Sequence, residues 1–143
     1  MLKILDCTFR DGGYYNKWNF SNTIKEEYVK NITNLPIDFI EIGYISNHKK
    51  GFRGELFYIN ENTISFFKKS GKKIAVMIDL KNLDTDLIKI IESLKSKVDL
   101  FRFAINHRDL KKLESKIKTL NLKADKIALN FMYLSNWIND KKF

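Results

Sequence analysis

A dense group of polar residues follows the first apolar run of this sequence. Residues 6–14 read Asp-Cys-Thr-Phe-Arg-Asp-Gly-Gly-Tyr, which makes Arg10 and Asp11 neighbours. An arginine can stabilise a negative oxygen during a reaction, and an aspartate can bind a divalent cation. Asp-Gly-Gly is also typical of a turn, whatever the protein does. The segment therefore indicates either part of a reactive site or a simple turn.

An acidic residue, Glu41, lies inside the apolar run from Phe39 to Tyr44. A buried carboxylate without a partner costs free energy, so a strand here needs a nearby cation. An adjacent parallel strand would bring Arg10 close enough, and a structural ion pair is one explanation. That pair leaves Asp11 without a cation of its own. A bound Mg²⁺ or Mn²⁺ would provide one, because hard cations prefer carboxylate oxygen.

Five short apolar runs alternate with longer segments of helical periodicity. The runs predict strands at 2–7, 39–44, 73–78, 98–105 and 127–132. Helical spacing of apolar residues predicts four helices, marked by Ile24, Tyr28, Ile32 and Leu35; by Ile64 and Phe67; by Leu87, Ile88, Ile91 and Leu94 after Asp84; and by Leu110, Leu113, Ile117 and Leu120. Thr23 with Glu26 predicts a capping box, and Gly71 predicts a helix end. This order predicts an α/β fold with a parallel sheet.

Two α/β architectures fit this order, an open five-stranded sheet and a closed (β/α)8 barrel. A closed barrel usually takes about 250 residues, whereas this chain has 143 and five predicted strands. Length alone therefore favours the open sheet. Neither of the two common glycine-rich nucleotide-binding loops follows any predicted strand, so the nucleotide-binding form of that sheet lacks support.

Composition excludes several classes of protein. The charge is +9, from 26 Lys and Arg against 17 Asp and Glu, but the lysines are dispersed and only a few of the basic residues are arginine. A solvated surface explains this charge better than nucleic-acid binding does. No apolar run approaches the length of a membrane span, and the single Cys7 cannot form an internal disulfide. We expect a cytoplasmic protein with no membrane or nucleic-acid partner.

The polar segment after the first strand resembles the opening of the HMG-CoA-lyase-like superfamily, the DRE-TIM metallolyases. The resemblance lies in residues 4–14, which read Ile-Leu-Asp-Cys-Thr-Phe-Arg-Asp-Gly-Gly-Tyr, and in Ile-Glu-Ile-Gly-Tyr at 40–44. The Gly-Gly-Tyr form is similar to the 4-hydroxy-2-oxovalerate aldolase branch. Later segments at 74–79, 101–104 and 127–132 agree with it. The resemblance implies a TIM barrel truncated to about five βα units, with 1–143 as one partial, N-terminal domain.

The resemblance also implies roles for individual residues. Asp11 matches the family's metal-ligand aspartate, Arg10 its catalytic arginine and Glu41 the glutamate that completes the triad. The metal, Mn²⁺ or Mg²⁺, would bind a pyruvate-type 2-oxo acid, and Arg10 would stabilise the enolate formed when a carbon–carbon bond breaks or forms. Arg102 and Asn130, on later predicted strands, are candidates for the same substrate pocket, together with Arg10.

The sequence departs from the family in its metal ligands. The family completes its metal site with a His-x-His pair, and this sequence has only His48 and His107, which are far apart. Two hypotheses stay open. The chain is the N-terminal part of a metal-dependent aldolase or lyase, or it is a half-barrel that is inactive unless a complementary chain completes it. Open strand edges and an apolar barrel-facing surface would favour association, with a second copy or with that complementary chain.

Overall fold

A computed structural model describes residues 2–48, 51–106 and 110–135, without the side chains of 110–113. Within them, five parallel strands form one sheet in the order of the sequence. The strands are β1 (Leu5–Asp6), β2 (Phe39–Tyr44), β3 (Lys73–Asp79), β4 (Leu100–Ile105) and β5 (Ile127–Phe131). The sheet curls into a half-barrel with helices between the strands, so the predicted α/β fold, a TIM barrel truncated to five units, is confirmed.

The helices alternate with the strands as predicted, and the structure contains one helix, α1, that was not predicted. They are α1 (Thr8–Asn16), α2 (Asn22–Ile32), α3 (Glu61–Lys68), α4 (Thr85–Leu94) and α5 (Leu110–Lys118). The side chains of Asn60 and Asp84 accept hydrogen bonds from the first turns of α3 and α4, so both helices begin at a capping residue. As predicted, Asp84 precedes a helix, and Gly71 follows α3 with a positive φ of 71°.

Two details predicted for α2 are wrong. The capping residue is Ser21, whose hydroxyl accepts from the Ile24 backbone, so Thr23 does not begin the helix. Ile24 and Leu35 are about half exposed, although both were expected on the buried stripe. The buried face instead includes Ile32 and the aliphatic stem of Lys25, because the ammonium of Lys25 has a carboxylate partner that permits its burial.

The polar segment after β1 is a helix and not a turn. Residues Thr8–Asn16 form α1 in spite of the Gly12-Gly13 pair. A Cβ on Gly13 would overlap the indole of Trp18, which packs directly on the helix backbone. Glycine is therefore needed at position 13 for close approach and not for a turn conformation.

The core lies between the outer face of the sheet and the helices. Side chains alternate along each strand, and in β2, β3 and β4 those that face the helices are fully buried. This layer includes Ile40, Ile42, Ile74, Val76, Phe101 and Phe103 from the strands and Ile32, Ile64, Phe67, Leu87 and Ile91 from the helices. The core therefore fixes the strands in register and leaves their other face for the site.

The barrel-facing side of the sheet combines apolar residues with the polar candidates from the sequence. Glu41 pairs in register with Ala75, Met77 with Arg102, and Ala104 with Asn130. Three of these barrel-facing residues are polar and hydrogen-bonded to one another or to α1, as described below. None of the described helices is long and apolar enough to span a membrane.

Candidate active site

Two arginines share one oxygen of Glu41. Nε of Arg10 donates to Oε2 of Glu41 at 2.8 Å, and Nη1 of Arg102 donates to the same oxygen at 2.8 Å. The Glu41 side chain is fully buried, and the side chains of Arg10 and Arg102 are 14% and 16% exposed. The three residues form a nearly buried, charge-assisted cluster inside the half-barrel.

Each member of the cluster is placed by a different element. Arg10 is in the first turn of α1, Glu41 is in the middle of β2, and Arg102 is on β4. From β5, the Oδ1 atom of Asn130 accepts a hydrogen bond from Nη2 of Arg102 at 3.3 Å. The structure thus brings together four of the five residues singled out from the sequence, over a separation of 120 positions between Arg10 and Asn130.

The fifth residue, Asp11, lies at the rim. Its carboxylate forms an ion pair with Nη1 of Arg10, and its side chain is 58% exposed. Arg10 therefore lies between two carboxylates, one buried and one open to solvent. Burial lowers the pKa of Arg10, but the hydrogen bond and charge of Glu41 outweigh burial and raise that pKa above its ordinary value. Arg10 is a permanent cation at this site.

One oxygen of the buried carboxylate is unused. Oε1 of Glu41 has no hydrogen-bond partner among the described residues. A buried carboxylate oxygen without a donor costs free energy, so the site has capacity for one more donor, such as a hydroxyl group or a water molecule. Glu41 can therefore orient two arginines through Oε2 and still accept a hydrogen bond through Oε1.

The described residues do not fit a complete site for Mn²⁺ or Mg²⁺. No group of three potential ligands among His, Cys, Asp and Glu occurs in them. Asp11 supplies one exposed carboxylate, which is already paired with Arg10. His48 is exposed and belongs to the loop after β2, and His107 lies outside the described residues. One carboxylate gives poor affinity for a divalent cation, so any metal needs further ligands.

Cys7 borders the cluster, a contact that the sequence did not indicate. Nη1 of Arg102 lies 3.7 Å from its Sγ atom. Burial raises the pKa of the Cys7 thiol, and the nearby charge of Glu41 raises it further. A raised pKa favours the thiol form of Cys7, and a thiol is a weaker nucleophile than a thiolate.

A cavity of about 540 Å³ opens next to the cluster, at the carboxyl ends of β2 and β3. Tyr14 and Tyr44 line it, with their hydroxyl oxygens 2.8 Å apart. Burial and the hydrogen bond with Tyr14 raise the pKa of Tyr44, so its hydroxyl stays protonated. Trp18 also lines the cavity and donates from Nε1 to the carbonyl of Arg10 at 3.0 Å. These aromatic residues connect the cavity to the arginine cluster.

The sequence could have indicated only part of this cavity. Tyr14 and Trp18 lie close to the polar segment in the sequence, but aromatic residues in such a position can either cover a pocket or pack in the core. Trp18 does both, since it is 6% exposed and lines the cavity. Arg53 comes from the loop after β2, and nothing in its sequence neighbourhood signals the cavity, because only chain folding brings it there.

Comparisons with known proteins agree with the fold. No family model matches the sequence, and no curated protein matches it. The chain is similar to a solved structure described as the N-terminal domain of a putative aldolase from Bacteroides vulgatus, with 35% identity and a TM-score of 0.86. The match covers 99% of this chain and 48% of that one, so this chain spans about half the length of the structure it matches.

Proposed function

We propose that this chain supplies the N-terminal half of an aldolase-type active site of the DRE-TIM metallolyase kind. The observation that carries the proposal is the cluster in which Arg10 and Arg102 share Oε2 of Glu41, with Asn130 beside them. The solved structure of 35% identity supports an aldolase-like function in general. The proposed substrate is a pyruvate-type 2-oxo acid, and residues 1–143 form one partial barrel domain.

In this proposal, Arg10 stabilises negative charge on the substrate. Cleavage of the carbon–carbon bond of a 4-hydroxy-2-oxo acid leaves a pyruvate enolate, whose oxygen becomes negatively charged. Arg10 uses Nε and Nη1 for Glu41 and Asp11, and no hydrogen bond within the described residues involves its Nη2. That group is available to an oxyanion. Glu41 and Arg102 are positioning residues, because they hold the guanidinium before the substrate arrives.

The proposed metal, Mn²⁺ or Mg²⁺, remains part of the hypothesis. Asp11 has an exposed carboxylate at the rim that suits such a cation, and the other ligands would come from outside the described residues. We expect Asp11→Asn to weaken binding of Mn²⁺ in the completed site, measured by calorimetry or by the paramagnetic effect of the ion on water relaxation. Equal binding by both proteins would contradict this role.

A second form of the proposal is favoured by the incomplete ligand set. In it, the chain is an inactive half-barrel until a complementary chain or domain adds the missing ligands. The exposed apolar residues at β5, Leu129 and Phe131, are consistent with a surface that another chain covers. The two forms differ in whether the chain alone turns over substrate.

The test is pyruvate release from a 4-hydroxy-2-oxo acid in the presence of Mn²⁺. It is measured for the chain alone, and for the chain mixed with a separately produced polypeptide that corresponds to the uncovered part of the Bacteroides vulgatus protein. Turnover that falls at least about a hundredfold in Arg10→Gln supports the proposal. Lys30→Gln, at an exposed position of α2, is the matched control.

Each outcome decides between the forms. Turnover by the chain alone contradicts the inactive half-barrel, and turnover only in the mixture supports it. If neither preparation releases pyruvate, or if Arg10→Gln is as active as Lys30→Gln, the aldolase assignment is wrong for this chain.

A further inference from the structure

The cavity next to the arginine cluster has two kinds of lining residue. Aromatic side chains form one part of its wall, and cationic side chains, those of Lys17, Arg53 and Lys81, lie around it. Its volume of about 540 Å³ falls within the range of about 300–1,000 Å³ that is typical of pockets for small organic ligands. None of these three cations belongs to the Arg10–Glu41–Arg102 cluster.

The charge of the cavity is unbalanced. Nζ of Lys81 pairs with Oδ2 of Asp79 at 3.0 Å, and Asp79 is the one carboxylate among the described lining residues. Neither Lys17 nor Arg53 forms an ion pair with any described residue. In the described part of the lining, three cations against one carboxylate leave a formal excess of two positive charges. Like charges held close together repel, so an anion bound between them would be favoured.

Arg53 is held in place without a carboxylate. Its Nη1 donates to the backbone carbonyl of Phe52 at 2.8 Å, and its guanidinium carbon lies 6.0 Å from the ring centre of Trp18 and 5.7 Å from that of Phe57. These cation–π contacts fix the orientation of the guanidinium and leave its other donors available. A planar fork of this kind suits a phosphate or a carboxylate.

Lys17 and Trp18 are held at the cavity by an unusual backbone. Both have a φ of 60°, a conformation that residues with a Cβ rarely adopt twice in succession. The Gly54 backbone N–H donates to the carbonyl of Lys17 at 2.7 Å, and a Cβ on Gly54 would overlap the backbone of Trp18. The loop that carries Arg53 is thereby locked against the segment that carries Lys17. The two unpaired cations are positioned by one set of backbone contacts.

We propose that this cavity binds a small organic anion. The planar or apolar part of the ligand lies against Trp18 and Phe57, and its phosphate or carboxylate group contacts Lys17 and Arg53. Binding of this anion does not rest on the proposed aldolase function, since the residues involved are outside the arginine cluster. If both hold, the ligand is the part of the substrate that extends beyond the pyruvate unit.

The test is calorimetric titration of the full chain with three probes of similar shape. Phenyl phosphate and benzoate carry the two candidate anionic groups, and phenol is their neutral counterpart. We expect saturable binding of at least one anion, at least about tenfold tighter than phenol, because hydrogen bonds to charged groups contribute more than neutral ones. The anion that binds more tightly distinguishes a phosphate site from a carboxylate site.

Two variants and a control locate the binding. Arg53→Gln and Lys17→Gln are each expected to weaken anion binding about tenfold or more, and Lys30→Gln is expected to leave it unchanged. Circular dichroism checks that each variant is folded. If Arg53→Gln disturbs its loop, Lys17→Gln still tests the proposal, because the Lys17 side chain is exposed.

The proposal is overturned if neither anion binds, if phenol binds as tightly as both anions, or if folded Lys17→Gln and Arg53→Gln bind like the control. A protein with Arg10→Gln separates this result from the aldolase function. It is expected to keep anion binding at the cavity while losing any pyruvate release, so failure of one proposal does not imply failure of the other.

Discussion

Glu41 pairs with two arginines through a single oxygen, which makes the residue a sensitive point for stability. Glu41→Gln keeps the shape of the side chain and removes its charge, so Arg102 loses its carboxylate partner among the described residues and Arg10 keeps only the exposed Asp11. Breaking a buried ion pair by removing one partner costs about 3–5 kcal/mol. Because both arginines keep some contact with solvent, we expect a loss at the lower end, about 3 kcal/mol, in the free energy of unfolding measured with urea.

The matched control for this prediction is Glu27→Gln, at an exposed position of α2. It removes the same charge from the surface and is expected to change the free energy of unfolding by less than about 0.5 kcal/mol. If Glu41→Gln were as small in effect as the control, the cluster would contribute little to the fold and its description as a tightly coupled ion network would be wrong.

A second ion pair makes stability depend on pH. Nζ of the buried Lys25 lies 2.6 Å from Oε2 of Glu55, and the Thr63 hydroxyl donates to Oε1 at 2.9 Å. Burial raises the pKa of Glu55, but hydrogen bonds from Lys25 and Thr63 outweigh it and hold that pKa below the ordinary value. A carboxyl whose pKa is lower in the folded state stabilises the fold above the unfolded value of about 4.3, and this contribution is lost as the pH falls through the folded value.

We therefore expect the urea midpoint of the natural chain to fall more steeply than that of Glu55→Gln as the pH drops below about 4.3. Above that pH, Glu55→Gln is expected to be the less stable protein, because Lys25 then lacks its partner. Glu26→Gln, which changes an exposed glutamate of α2, should keep the pH dependence of the natural chain. Parallel pH profiles for Glu55→Gln and the natural chain would contradict the role of this pair.

Within a single element, α1 shows how packing overrides local sequence signals. Gly12 and Gly13 are neighbours in the same helix but face different surroundings. A Cβ on Gly13 would overlap the Trp18 indole, whereas a Cβ on Gly12 would lie 3.5 Å from the Phe20 ring, an ordinary contact. Gly12→Ala is expected to stabilise the protein by about 0.5–1 kcal/mol, since alanine favours a helix. Gly13→Ala is expected to destabilise it by about 1–3 kcal/mol through overpacking.

The two alanine variants control for each other, because both add one methyl group to adjacent positions of α1. Thermal unfolding followed by circular dichroism distinguishes them. Equal shifts of the midpoint in the same direction would mean that Trp18 does not pack on Gly13 as closely as described.

Packing in the fold also explains which elements could be predicted from the sequence and which could not. Strands β2 to β5 are recognised within a few residues, because buried parallel strands are continuous apolar runs. Helix α1 is missed, since Asp-Gly-Gly is a turn signal in isolation and only contact with Trp18 makes glycine necessary there. The helix cap at Ser21 is confused with Thr23 because both residue types cap helices and Thr23 has a glutamate three residues later, as in a capping box.

The proximity of Arg10 and Glu41 could be predicted from the order of the strands. Adjacent parallel strands bring an acidic residue in β2 close to the chain that follows β1, and this requires no detail of side-chain packing. Bridging of one Glu41 oxygen by both arginines was not predictable, because it depends on the register of β4 against β3. The cationic cavity depends on a loop that folds back onto Lys17, and such contacts leave no periodic signal.

For the whole molecule, charge and apolar surface have different distributions. Most of the positive charge of +9 is spread over lysines at helix ends and loops, which favours solubility without defining a partner. Four of the eleven exposed large apolar side chains of the described residues lie within or just after the last described strand: Leu129 is 41% exposed, Phe131 is 43% exposed, and Tyr133 and Leu134 are more than 60% exposed. An edge strand with apolar side chains beside it is a surface on which another chain can pair.

We therefore expect the chain to associate through the β5 edge, with a second copy of itself when no complementary chain is present. Leu129→Lys places a charge at this edge and is expected to weaken self-association about tenfold or more, since burial of a leucine contributes about 1.5–3 kcal/mol. Ile24→Lys, which changes a similarly exposed residue on α2, is the control and should associate like the natural chain. Sedimentation velocity over a range of protein concentrations measures the difference. A natural chain that stays monomeric throughout, or a Leu129→Lys protein that associates as strongly as the control, would show that the β5 edge is not a docking surface.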